Sequence, residues 1–122
     1  MVDYKSGINT KRYEYNDKDG IPQAIMLRPL DPSYFPILFR VANKFKFLKK
    51  EEGETNEEFS IKMLELLDES TVKSLVDICL AVTKKSLEGI SDSDANDFVS
   101  SQFLNLFPVL VKMNLNGGKK VD

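Results

Sequence analysis

The segment 98–115, FVSSQFLNLFPVLVKMNL, carries more apolar surface than one side of a helix can hold. Wound at about 100° per residue, it puts Phe98, Val99, Phe103, Leu106, Val109, Leu110 and Met113 on one face. Leu104, Phe107, Val111 and Leu115 fall largely outside that face. The apolar arc comes to roughly 260°, where an ordinary surface helix needs a stripe only somewhat wider than about 100°. Such a helix is either the central helix of a small core or half core and half docking surface. The second alternative describes a protein that works by holding other protein.

At 122 residues the chain fits one domain, with enough length to bury a real core. Apolar residues make up 42% and charged residues 30%, the balance of a folded chain rather than a disordered one. The net charge of -2 does not nominate nucleic acid as a partner. The opening MVDYKSGINTKRYEYN has no apolar stretch that would serve as a signal peptide. No uninterrupted stretch reaches membrane-spanning length, and the best candidate is broken by Asp77, Lys84 and Lys85, so no membrane role is expected. A single cysteine, Cys79, excludes an internal disulfide and points to an intracellular chain.

There is no histidine. The commonest general base and the commonest transition-metal ligand are therefore missing. Nucleophile–histidine pairs cannot be built within this chain, and a zinc site would have only carboxylates and one thiol. The expectation is a protein without enzymatic activity, metal or cofactor.

Along the chain, residues 1–9 read as a loose arm. TKRYEYN alternates, with Tyr13 and Tyr15 on one side and Arg12 and Glu14 on the other, a strand of period two. Asn16-Asp17-Lys18-Asp19-Gly20 is turn chemistry, and the return strand spans roughly Gln23 to Arg28. The hairpin occupies 10–29. Asp31-Pro32 opens a first helix, with Tyr34, Leu38, Val41, Ala42, Phe45 and Leu48 in one stripe and an end near Lys50. Thr55 and Glu58 make a capping box for a second helix that faces inward through Phe59, Met63, Leu66 and Leu67. A third helix starts after Asp68 and stops at Gly89. Ser91 and Asp94 start the fourth, which Pro108 should kink. Residues 116–122 read as a flexible tail. The fold class is α+β, mainly α: one N-terminal hairpin and about four helices spanning 31–115, in a single domain.

Three groups of residues invite a chemical reading. Asp92, Asp94 and Asn96 open like a calcium loop, but the glycine and glutamate positions are Asp97 and Phe103, so these acids are read as favouring a helix N-terminus. Arg40, Lys44, Lys46, Lys49 and Lys50 interleave with Phe45 and Phe47, but the five glutamates at 51, 52, 54, 57 and 58 follow at once and would repel a phosphate backbone. Cys79 lies on an apolar face with no basic neighbour there, and is read as a core residue.

The order of elements resembles that of the tail assembly chaperones of long-tailed bacteriophages and related archaeal viruses. The features are the KRYEY…MLRPL hairpin leading into a D-P-x-x-x-P helix, the acid-capped helices, and the terminal FLNLFPVLVKMN helix, over about residues 10–116. The family is defined more by helical layout than by invariant residues, so no catalytic residue is carried over. The resemblance implies a non-enzymatic protein of the host cell cytoplasm. Such a protein coats the long, helical tape measure protein through exposed apolar helix faces and leaves as tail tube protein arrives. That task needs many moderate contacts rather than one tight one.

The expected partner surface is Leu104, Phe107, Val111 and Leu115, with Phe39 and Phe47 as a second set. Self-association through the same apolar helix is expected too. Many tail chaperones are made in two lengths by ribosomal slippage, and codons for the run Gly117-Gly118-Lys119-Lys120 can contain the required order. The resemblance therefore implies that this chain is the short product. The alternative from a different class is a small homodimeric adaptor or regulatory protein.

Overall fold

The computed structural model describes residues 10–115, with side chains through Lys112. The arm 1–9, the tail 116–122 and the side chains of Met113 and Leu115 lie outside the described residues. The chain is α+β and mainly α. Strands β1 (Lys11–Asn16) and β2 (Pro22–Leu27) form a hairpin. A 3₁₀ turn (Pro32–Tyr34) then leads into helices α1 (Phe35–Phe45), α2 (Asn56–Glu65), α3 (Glu69–Ser86) and α4 (Asp92–Leu115).

The hairpin turn is closed by two backbone bonds. Gly20 N–H donates to the Asp17 carbonyl at 2.9 Å, and Asp17 N–H donates to the Ile21 carbonyl at 3.0 Å. Gly20 has φ +78°, the left-handed conformation that ends a three-residue hairpin loop and that a side chain would oppose. The Asp17 carboxylate accepts the Ile21 and Asp19 N–H groups, which holds its pKa below the usual range, helped by Gln23.

From the bonded Asp17–Ile21 pair the register runs Asn16 opposite Pro22, Tyr15 opposite Gln23, and on to Lys11 opposite Leu27. Antiparallel ladders alternate bonded and non-bonded pairs. Pro22, with no N–H, therefore sits at a non-bonded position. By the same parity, the backbone groups of Arg12 and Glu14 point away from β2.

The hairpin leans on α4. Tyr13 is buried, and its hydroxyl donates to Gln102 Oε1 at 2.7 Å. The ring of Phe98 stands edge-on to Tyr15 at 5.1 Å. The exit of β2 is tied to α3: Arg28 N–H donates to Ser86 Oγ at 3.0 Å, and Lys85 Nζ donates to the Pro29 carbonyl at 2.8 Å.

Helix starts follow the expected caps. Asp31 accepts Ser33 N–H at 2.9 Å, although the first turn is 3₁₀ and α1 proper begins at Phe35. Both halves of the Thr55–Glu58 capping box form, at 2.9 and 3.0 Å. Asp68 accepts Thr71 N–H at 2.8 Å, and Ser91 accepts Asp94 N–H at 3.0 Å.

Two boundaries differ from expectation. Helix α1 ends at Phe45 rather than near Lys50, because Leu48 N–H turns back to the Phe45 carbonyl at 3.0 Å and lays Leu48 on the core. Helix α2 ends at Glu65, so Leu66 becomes a cap residue and is exposed instead of facing inward.

Helix α4 is central. Helices α1, α2 and α3 all pack against it, and the hairpin meets it through Phe98 and Gln102. The helix runs through Pro108 without a break. Leu106, Phe107 and Leu110 are fully buried, and Val99 and Val111 nearly so. The wide apolar arc is therefore mostly consumed inside the molecule. Phe107 at 0% exposure and Val111 at 6% belong to the core, which corrects their assignment to a contact surface.

Candidate functional site

The proline that should have weakened α4 organises its surroundings. Pro108 has no N–H, so the carbonyl of Leu104, four residues earlier, has no donor from its own helix. Ser60 of α2 supplies one: its hydroxyl, almost fully buried, donates to the Leu104 carbonyl at 2.6 Å. A buried carbonyl left without a partner would cost about 1–3 kcal/mol. The bond fixes α2 against α4 at that level. Sequence reading missed Ser60 because it looks like a polar interruption of an amphipathic stripe. The signal was present as a proline in α4 awaiting a donor.

Two hollows flank this point. A groove of about 760 Å³ runs along all of β1, with α2 and α4 as its far wall. Tyr15, Phe59, Leu104, Asn105, Pro108 and Val109 are among its lining residues. A smaller cleft of about 330 Å³ lies between α1, α2 and α4, walled by Ala42, Phe45, Met63, Pro108 and Val111, with Lys46 and Lys112 at its rim. Met63 and Pro108 belong to both hollows.

The expected contact residues are thus divided. Leu104 is half-buried and lines the groove. Val111 shows only an edge in the cleft, and Phe107 is below the surface. Leu115 has no described side chain. Phe39 and Phe47 are the expected residues that stand open, 55% and 84% exposed. Phe39 lies against Phe35 with ring centroids 6.0 Å apart. Phe47 carries the Lys46 ammonium 5.3 Å from its ring centre. A phenylalanine exposed to this degree contributes little to the core.

Several charged groups are engaged in surface structure. Lys84 pairs with Asp92 at 2.6 Å, which lowers the Asp92 pKa, and Asn96 donates to the Asp92 carbonyl at 3.0 Å. Lys62 pairs with Glu54 at 3.1 Å, and Lys50 donates to Asn56. Glu51 N–H donates to the Glu54 carboxylate at 2.9 Å, the main cause of its lowered pKa. Burial pushes the Cys79 thiol up to about 12. A thiol held neutral at that level is no nucleophile at physiological pH.

Among the described residues, no cluster of three metal-ligating groups occurs, and no helix is long and apolar enough to cross a membrane. What the arrangement offers chemically is contact: a hollow beside a strand, an apolar cleft and two bare aromatic rings. No protein-family model, curated protein or solved structure matches this chain.

Proposed function

We propose that this chain is a non-enzymatic holding protein of the tail assembly chaperone kind. It shields a long helical tape measure protein through apolar contacts in the host cytoplasm and yields it as tail tube protein assembles. The observation that carries the reading is the exposure of Phe39 and Phe47 on and just after α1, the helix whose other side walls the apolar cleft. Aromatic rings anchor protein contacts with large area and little entropy loss. Two separate rings and a shallow cleft make several moderate contacts, which suits a partner that must later be released.

The test is aggregation of a purified tape measure protein, followed by light scattering. The wild-type chain is expected to suppress it. The double variant Phe39→Ser, Phe47→Ser is expected to lose most of that protection while its melting temperature stays close to wild type. No suppression by the wild type removes the chaperone reading. Equal protection by the double variant removes the aromatics as its surface.

A further inference from the structure

The hairpin has a second strand on one side of β1 and, among the described residues, no strand on the other. An isolated hairpin edge is a template for pairing. The parity set by the Asp17–Ile21 pair turns the N–H and C=O groups of Arg12 and Glu14 toward that edge. The 760 Å³ groove lies along the same strand, so the space beside it is hollow rather than filled by a helix.

We infer that β1 pairs antiparallel with β1 of a second copy about a two-fold axis at Tyr13, giving a four-stranded sheet β2-β1-β1-β2. The argument is charge register. Only residues whose backbone groups face the edge exchange hydrogen bonds across it, so an axis near the middle of β1, at Arg12, Tyr13 or Glu14, decides how the two charged residues are matched. An axis at Arg12 sets arginine against arginine, and an axis at Glu14 sets glutamate against glutamate. The axis at Tyr13 sets each Arg12 opposite the partner copy's glutamate in both directions. Opposite charges facing across a ladder stabilise it and like charges destabilise it. Within one chain Arg12 Nε already donates to Glu14 Oε2 at 2.8 Å, with both side chains about two-thirds exposed. These two charges are therefore neighbours on the solvent face and spend their attraction on an exposed pair worth little alone. The same two residues from both copies close a four-charge cluster. The pairing does not depend on the proposed function, because a chaperone oligomer and an adaptor dimer would use the hairpin alike.

The test is sedimentation equilibrium of the purified chain, with no partner present, for wild type, Arg12→Glu, Glu14→Arg and the double swap Arg12→Glu, Glu14→Arg. The wild type is expected to dimerise. Each single variant meets two like-charge pairs, and its dimer is expected to weaken by about tenfold. The double swap restores opposite charges and is expected to recover wild-type affinity. Unchanged circular dichroism and melting in the singles show that the hairpin itself is intact. A wild type that stays monomeric throughout overturns the inference. A dimer indifferent to the single swaps overturns it in favour of another face. A monomer that takes up an extended peptide along β1 overturns it in favour of a foreign strand.

Discussion

Ser60 and Pro108 act as one unit although they sit on different helices. Ser60→Ala strands the Leu104 carbonyl and is expected to cost about 1–2 kcal/mol in urea unfolding. In a Pro108→Ala background the helix regains its own donor at position 108. Ser60→Ala is then expected to cost less than about 0.5 kcal/mol, a coupling that a double-mutant cycle reads directly. Additive costs would show that the hydroxyl matters for something other than this carbonyl. Cys79 is the other residue with a defined chemical state. Burial raises its thiol to about 12, and burial chiefly, with Cys79 and Tyr15 nearby, raises the Tyr13 phenol to about 12. Both groups are neutral when protonated and are easier to ionise in the unfolded chain. Their contribution to stability is therefore complete below the unfolded values of 9.0 and 10.0, and falls away as the pH rises toward 12. Melting temperature is expected to drop above about pH 9, and the native thiol to resist alkylation at pH 8 until denaturant is added. Cys79→Ala is expected to cost on the order of 1 kcal/mol through lost packing and to lower the alkaline sensitivity.

At the scale of elements, α4 decides the fold, and Phe107 is its most informative side chain. It is fully buried with its ring 5.0 Å from that of Phe103. Phe107→Ala is expected to cost about 3–5 kcal/mol, measured by chemical denaturation, while Phe47→Ala is expected to change stability by less than about 0.5 kcal/mol. The sequence made most elements legible because their signals are local. Tyr13 and Tyr15 alternate with charge, Thr55 and Glu58 stand at cap spacing, and Gly20 and Gly89 mark stops. The division of α4 into core and surface was not legible. Periodicity tells which sides of a helix are apolar, and not how many neighbours will close around them. Phe107 and Val111 lie off the main stripe and so looked spare. Three helices and a hairpin around α4 bury Phe107 completely and leave Val111 only an edge in the cleft. Phe39 was legible for the opposite reason, since it falls off the stripe of a helix packed on one side, whereas Phe47 stands open because α1 has already ended at Phe45.

The whole molecule is a helical body that wears a narrow two-stranded ribbon on one flank. Its two strands do not treat the outside alike. Arg12 and Glu14 leave β1 with backbone donors and acceptors turned outward, whereas β2 opens with Pro22 at the matching outward position, where the ring replaces the donor. The exit of β2 is occupied by Ser86, which takes the Arg28 N–H at 3.0 Å. A proline on an edge strand is a device against indefinite strand-to-strand growth. The ribbon therefore has one receptive margin and one guarded margin. Joining through the receptive one uses it up in both molecules and leaves only guarded margins facing water. On the proposed pairing, assembly by this route terminates at a pair.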